Sequence, residues 1–170
     1  MTWGWVIYGW TRAEKYNLTW FKGKVKQYLQ DQFLQTWYMH VDTDDVFSNY
    51  RMFKPTFGSD PFFTSLPDNC VICLARFRTT NNVLPVHRLR FDRIPRRERT
   101  CEKCTLQDVG DEFHYIFVCP FFDALRKQNL PRYFFDKPNV LKYHKLMSTK
   151  KRGLLLKLKH FVCRLRMELM

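Results

Sequence analysis

Residues 99–120, RTCEKCTLQDVGDEFHYIFVCP, contain the feature that most restricts how this chain can fold. Within them, three of the chain's six cysteines and one histidine follow the pattern C-x2-C-x9-H-x4-C. Structural zinc takes four nitrogen or sulfur ligands in a tetrahedron, commonly as two close pairs about ten to fifteen residues apart. The pattern therefore predicts one zinc ion bound by Cys101, Cys104, His114 and Cys119.

The residues around the ligands indicate how the two pairs converge. The first pair needs only a tight turn, because two residues between cysteines let both sulfurs point at one place. Asp111 and Glu112 favour a helix N-terminus, which places His114 in its first turn. Cys119 lies five residues later, one more than the same-face spacing of an α-helix, and a proline follows it. We therefore expect the helix to loosen or bend at Cys119.

The composition of the ligand set indicates a structural zinc ion. Four protein ligands leave no open coordination position, and no general base stands beside them in the sequence. Zinc binding supplies about 10–16 kcal/mol in small zinc-finger peptides. A short loop with little core of its own needs such a contribution in order to fold.

Two other interpretations of the cysteines remain open. Cys70 and Cys73 form a second C-x2-C pair, and this pair could join Cys101 and Cys104 in a four-cysteine site. The apolar helical pattern around Cys70 and Cys73 instead favours positions in a core. The plainest alternative is that all these cysteines and His114 are ordinary buried residues.

Positive charge is concentrated on either side of the metal-binding pattern. The chain carries a formal net charge of +13, and its sequence pI is near 9.7. Residues 85–100 hold six arginines and two acids, and residues 141–170 hold nine basic residues and one acid, whereas residues 101–140 are nearly neutral. This excess indicates an anionic partner, either nucleic acid or an anionic membrane surface.

The first basic segment, VHRLRFDRIPRRERTC, is the predicted nucleic-acid contact. Arginine suits bidentate phosphate contacts, and aromatic rings stack on unpaired bases. We therefore expect RNA or single-stranded DNA as the partner, and no small-molecule substrate. A solvated basic loop is the open alternative. The predicted contact residues are Arg88, Arg90, Phe91, Arg93, Arg96, Arg97, Arg99 and Tyr115.

Hydrophobic periodicity predicts a mainly α-helical fold. Residues 18–38 carry apolar side chains at helical spacing, with Asn17 as the N-cap. Asp42 and Asp44 are predicted to cap a short helix that ends at Phe53. Further helices are predicted at residues 68–79, 123–127, 140–147 and 153–170.

The last of these helices, GLLLKLKHFVCRLRMELM, has the strongest pattern. Seven of its apolar residues fall in one sector about 120° wide, with the cations outside it. They are Leu154, Leu155, Leu158, Phe161, Val162, Leu165 and Leu169. Docking of this face on the domain is the expected placement. An anionic membrane surface and a second phosphate-binding face are the alternatives.

The whole chain is expected to be a small helical domain with an embedded C-C-H-C zinc knuckle and a basic amphipathic C-terminal helix. No apolar run is long enough to span a membrane, and MTWGWVIYGW lacks the basic start and cleavage site of a signal peptide. We therefore predict an intracellular protein, nuclear or cytoplasmic, that is not secreted. The predicted segments are an N-terminal segment, a helical region, a basic connector with the zinc knuckle and a basic helical tail, at residues 1–17, 18–84, 85–130 and 131–170.

The segment from LARFRTTNNVLP to HYIFVCPFFDALR also resembles a known family. It is similar to the region after the thumb in polyproteins of non-LTR, LINE-type retrotransposons. There, an Arg-bearing helix and an N-x-L-P turn precede a basic approach to C-x2-C, and an acidic stretch leads into E-x-H-x4-C-P. The resemblance covers about residues 25–130, including DQFLQTW and YRMFKPTFG. The matching residues are Arg76, Arg78, Asn82, Leu84, Pro85, Arg96, Arg99, Cys101, Cys104, Glu112, His114, Cys119 and Pro120.

This resemblance implies a C-terminal fragment of a retrotransposon reverse transcriptase protein. The chain departs from the family at Leu89–Arg90, where a Gly-Arg pair is common, and it has no polymerase palm, no Y/F-x-D-D hairpin and no endonuclease domain. The implied function is non-catalytic binding of RNA or single-stranded DNA, so we predict no enzymatic activity. The alternative is a basic amphipathic module that binds anionic membranes or acidic proteins, with a purely structural zinc ion.

Overall fold

The computed structural model describes residues 18–43, 49–60, 62–80 and 82–170. These residues form a mainly α-helical fold, as predicted, and they contain no β-strand beyond one isolated antiparallel bridge. The α-helices are α1 Leu18–Thr43, α2 Tyr50–Phe53, α3 Phe62–Ser65, α4 Asp68–Arg78, α5 Pro85–Arg88, α6 Asp123–Asn129, α7 Arg132–Phe135, α8 Val140–Met147 and α9 Arg152–Leu169. None of these helices is both long enough and apolar enough to cross a membrane.

The chain divides into two compact units, Met1–Met39 and His40–Met170. The described part of the first unit is the predicted long helix, α1, which continues to Thr43. Its apolar stripe is largely solvent-exposed, with Phe21, Leu29 and Phe33 more than half exposed. The predicted N-cap of this helix lies outside the described residues.

The core of the second unit forms where α9 packs against α4 and α6. The sector predicted to be apolar in α9 is the buried one, and Leu155, Leu158 and Phe161 are completely enclosed. Each such side chain contributes about 1.5–3 kcal/mol on burial. The predicted docking of α9 is confirmed, and Lys157 and Arg164 on its opposite side face solvent.

The helix ends follow the local signals at most positions. Helix α8 has the predicted bounds, and the Asn139 side chain caps it by accepting a hydrogen bond from the Lys142 backbone N–H at 3.0 Å. Helix α4 ends at Arg78, just before the predicted Asn-containing loop. Helix α6 extends two residues beyond its predicted end, to Asn129.

The predicted cap of the short helix α2 is wrong for one of its two residues. Asp42 belongs to the last turn of α1, and its backbone carbonyl accepts a hydrogen bond from Arg51 at 2.7 Å. Helix α2 begins only at Tyr50, and the preceding Asn49 makes no capping hydrogen bond with its side chain. Asp44, the other predicted cap, lies outside the described residues.

Candidate metal centre

A short hairpin presents the first pair of predicted ligands. Thr100 and Val109 form the antiparallel bridge, and Cys101 N–H donates to the Asp108 carbonyl at 2.9 Å. Within the loop, Lys103 N–H points to Cys101 Sγ at 3.4 Å. These backbone bonds fix the tight turn between Cys101 and Cys104 that the C-x2-C spacing predicts.

A π-helical turn, His114–Val118, presents the second pair. The Asp111 carboxylate caps its start by accepting from His114 N–H at 2.9 Å. Cys119 N–H closes the turn on the His114 carbonyl at 2.8 Å, an i→i+5 bond. A spacing of five, slightly too long for one face of an α-helix, is in register on this wider turn. The predicted loosening of the helix at Cys119 is therefore confirmed.

The four side chains meet at one point. Their ligand atoms all lie within 4.8 Å of one another. Cys101 Sγ is 3.8 Å from Cys119 Sγ, and Cys104 Sγ is 3.4 Å from His114 Nε2. Zinc bonds of about 2.3 Å to sulfur and 2.0–2.1 Å to nitrogen give a tetrahedron with sulfur–sulfur edges of about 3.8 Å and sulfur–nitrogen edges of about 3.5–3.6 Å. The cluster could therefore hold a metal ion of this kind.

Burial shifts the pKa of two residues of the cluster, Cys119 and His114. Burial raises the pKa of the Cys119 thiol to about 12, and the neighbouring Cys101 adds to the rise. Burial also lowers the pKa of His114, against the opposing effect of Asp108 and Asp111. A neutral imidazole is the form that binds metal, and a bound cation favours thiolates at coordinating cysteines. The buried Cys119 thiol is therefore costly to ionise unless a cation neutralises it.

The Asp108 carboxylate lies near the second ring nitrogen of His114. His114 directs Nε2 at the cysteine sulfurs, and its Nδ1 lies 3.5 Å from the Asp108 carboxylate. Metal-binding histidines commonly have such a carboxylate on the second nitrogen, where it orients the ring and selects the tautomer. The sequence pattern does not single out Asp108, because acids also precede the ligand at positions 111 and 112.

A buried polar cluster joins the metal-ligand segment to the preceding loop. The Glu112 carboxylate is almost completely enclosed, and it accepts hydrogen bonds from Asn49 at 2.9 Å and Asn82 at 3.2 Å. His87 Nε2 lies 2.5 Å from the same carboxylate. The Asn82 side chain also accepts from Leu84 N–H at 3.0 Å, which forms the N-x-L-P turn. Glu112 and Asn82 thus have structural roles inside the fold.

A buried arginine supports the π-helical turn. Arg126 donates to the carbonyls of Ile116 and Cys119, both at 2.7 Å. These are backbone acceptors on the turn and at the ligand itself. Burial lowers the Arg126 pKa, and Asp123 opposes that effect from 3.4 Å. No local sequence pattern marks Arg126 as a partner of this turn.

Most of the predicted contact residues lie at the surface, where some arginines form ion pairs and others do not. Arg93 and Arg97 are exposed, and neither has an ion pair within the described ranges. Arg90 lies 4.9 Å from the centre of the Phe91 ring, which is 76% exposed. Arg88 forms an exposed ion pair with Glu102, and Arg96 forms one with Asp111 at 3.2 Å.

Arg99 differs from these residues because its guanidinium is used inside the fold. Nε donates to the Ile94 carbonyl at 2.7 Å and Nη1 donates to the Val86 carbonyl at 2.8 Å. These bonds close the loop that carries the exposed arginines. We therefore assign Arg99 a structural role in place of the predicted phosphate contact.

The prediction that Tyr115 stacks on a base is wrong. Its side chain is completely buried and lies edge-on to the Phe122 ring, with the centroids 5.7 Å apart. Burial also raises the pKa of its hydroxyl, and Cys101 contributes to that rise. The continuous apolar run from Tyr115 to Val118 was the available signal for a core position.

The four-cysteine alternative is also wrong. Cys70 is buried in α4, and Cys73 contacts Cys163 of α9, so neither joins the cluster of Cys101. Comparisons of the chain with protein-family models, curated proteins and solved structures find no match. The geometry of the cluster and its surroundings is therefore the basis for assigning a function.

Proposed function

We propose that the Cys101, Cys104, His114 and Cys119 cluster binds one structural zinc ion, and that the zinc-stabilised segment binds RNA or single-stranded DNA without catalysing a reaction. The convergence of three sulfurs and one imidazole nitrogen within 4.8 Å carries the proposal. A set with four protein ligands closes the coordination shell, which is typical of structural zinc.

Contacts between the hairpin of the metal cluster and the loop that carries the exposed arginines support the proposed binding of RNA or single-stranded DNA. Gly110 follows the hairpin, and its Cα faces the Pro85 ring so closely that a Cβ would come within 3.0 Å of it. Gly110 also accepts from Val86 N–H at 3.3 Å and donates to the Arg99 carbonyl at 2.8 Å. The loop between these contacts carries the exposed arginines, so zinc binding fixes the surface that presents them.

The basic surface, defined as Arg88, Arg90, Phe91, Arg93, Arg96 and Arg97, has the chemistry that single strands require. Guanidinium groups contact phosphates, and an exposed phenylalanine ring offers a stacking face for a base. The absence of a rigid recognition helix here favours a flexible strand over groove readout in a duplex.

The resemblance to LINE-type retrotransposon proteins suggests a setting for this activity. In an intact element protein, the equivalent region would help to hold the element RNA or target DNA beside the polymerase. The arginines, the cluster and the turn of this chain occupy the matching positions, and this part of the proposal rests on that resemblance alone.

Salt dependence of binding tests the nucleic-acid function. With about five phosphate contacts, log affinity of the zinc-loaded chain for single-stranded RNA should fall against log salt with a slope of about −3 to −4. Replacing Arg93 and Arg97 with alanine should make the slope less negative by about 0.7 for each lost contact. The control Lys26→Ala in α1 should leave the slope unchanged. No binding at low salt, or equal effects of all three substitutions, would contradict the proposal.

Stacking of Phe91 on a base should affect binding differently from a phosphate contact. Phe91→Ala should weaken RNA binding by about 1–3 kcal/mol while leaving the salt slope intact, because no charge is lost. The matched control is Phe121→Ala, which removes another exposed ring outside the basic surface.

Anionic membranes or acidic proteins are the alternative partners. Burial of the apolar face of α9 removes the main argument for membrane insertion of that helix. Flotation with anionic liposomes tests this function: binding to vesicles together with absence of RNA binding would favour the alternative.

A further inference from the structure

Two cysteines outside the metal cluster lie against each other. Cys73 of α4 and Cys163 of α9 have their Sγ atoms 3.1 Å apart, although 90 residues separate them in the sequence. Both are free thiols of intermediate exposure. A disulfide bond is about 2.05 Å long, so the sulfurs need to approach by about 1 Å.

The surrounding fold holds the two thiols in place. Helices α4 and α9 pack directly on each other in the core of the second unit. Leu74 and Phe77 of α4, and Val162 of α9, are buried close to the two cysteines in sequence. A pair of thiols held in one position by two packed helices has lost much of the entropy that opposes disulfide formation.

One member of the pair, Cys73, is also accessible from one side. A cavity of about 270 Å³ reaches Cys73, and Arg76, Asn82 and Arg166 line it together with apolar side chains. The two guanidinium groups give this opening a positive charge. A small disulfide that carries carboxylates, such as glutathione disulfide, is complementary to such an entrance.

We propose that Cys73 and Cys163 form a thiol–disulfide modification site whose co-reactant is a small anionic disulfide of the glutathione class. One cysteine thiolate attacks a sulfur of that disulfide, which breaks its S–S bond and releases one glutathione thiolate. The second cysteine thiolate then attacks the protein sulfur of the mixed disulfide. The Cys73–Cys163 bond forms, a second glutathione thiolate leaves, and the two released thiolates take up the two protons lost by the cysteines.

The protonation of Cys73 bears on how long the product lasts. Burial raises the pKa of its thiol to about 12, and the adjacent Cys163 adds to the rise. A thiol of high pKa is a poor leaving group, so the resulting protein disulfide is slow to be reduced. The same property makes its formation slow, since only the thiolate attacks.

Incubation of the zinc-loaded full chain with excess glutathione disulfide tests the proposal. Peptide mapping should find Cys73 linked to Cys163 as the main product, and the intact protein should lose the mass of two hydrogens. Cys73→Ser and Cys163→Ser should each abolish the linked peptide. Cys70→Ser, three residues away in the same helix, should retain it.

Metal analysis of the same samples separates this proposal from the zinc function. Zinc content should be unchanged by oxidation, and the linked peptide should also form in chain that lacks bound metal but keeps its helical circular dichroism. Stable glutathione adducts without a Cys73–Cys163 link, or a link between other cysteines, would overturn the proposal.

Discussion

Glu112 is the most enclosed acid beside the metal cluster. Asn49 and Asn82 donate to its carboxylate, and His87 lies against it. Removing an acceptor that serves several buried donors leaves those donors without partners. We therefore expect Glu112→Ala to lower the free energy of unfolding of the zinc-loaded chain by about 3 kcal/mol in urea titrations.

Glu102 supplies the matched control for that substitution. Its carboxylate is half exposed and pairs with the exposed Arg88. An exposed pair of this kind contributes about 0–1 kcal/mol, so Glu102→Ala should have a small effect. Equal losses of stability in the two variants would show that the buried cluster does not stabilise the fold.

Arg126 is the second residue whose role depends on several precise contacts. Its guanidinium donates to two carbonyls of the π-helical turn from a buried position. Lysine keeps the charge but lacks the planar set of donors that reaches both acceptors. Arg126→Lys should lower the free energy of unfolding by about 2 kcal/mol.

The adjacent Lys127 serves as the control for Arg126. Its ammonium pairs with Asp123 at 2.6 Å on the surface. Lys127→Ala should change stability by less than about 0.5 kcal/mol. If Arg126→Lys leaves the free energy of unfolding unchanged in the same urea titration, the turn does not need these hydrogen bonds.

Sequence patterns identify the four residues of the Cys/His cluster at this scale because residue type and spacing are local properties. They do not identify Asn49 and His87 as partners of Glu112, since those residues come from distant segments. The stacking prediction for Tyr115 is wrong because it rests on residue type alone, whereas the apolar run from Tyr115 to Val118 is the local signal for a core position.

At the scale of elements, the hairpin of the metal centre touches the turn that begins α5. A Cβ on Gly110 would lie 3.0–3.2 Å from three atoms of the Pro85 ring. The rigid proline ring cannot move away easily. Gly110→Ala should therefore lower the free energy of unfolding by about 1–3 kcal/mol.

Gly153→Ala is the control for Gly110→Ala, because it adds the same methyl group at a position with open space. Gly153 lies in the first turn of α9, and no atom lies within 4 Å of where a Cβ would stand. Alanine is the better helix former, so Gly153→Ala should raise thermal stability, by up to about 1 kcal/mol. Similar losses in both variants would contradict the close contact at Gly110.

The sequence predicts most helices of the second unit because their apolar faces recur at helical spacing, as in α4, α8 and α9. It also predicts a disturbed helix at Cys119, from the spacing of five and the following proline. The type of disturbance is not predictable locally. The π-helical turn depends on Arg126, which satisfies two of its carbonyls from a different helix.

At the scale of the whole molecule, the second unit combines a helical core with a Cys/His cluster whose segment contacts the arginine-bearing loop. Its packed layer of α4, α6 and α9 is expected from the amphipathic patterns. The contacts of Gly110 and Glu112 that connect the Cys/His cluster to the arginine-bearing loop are not expected from the sequence. Each of these contacts joins segments that are far apart in sequence.

Metal content measured by native mass spectrometry tests the central claim most directly. We predict one zinc ion in the unmodified chain, its loss in His114→Ala and in Cys119→Ser, and its retention in Cys70→Ser and Cys73→Ser. A chain that binds no metal ion when zinc is supplied, or that keeps zinc in Cys119→Ser and loses it in Cys73→Ser, would contradict the assignment of the four ligands.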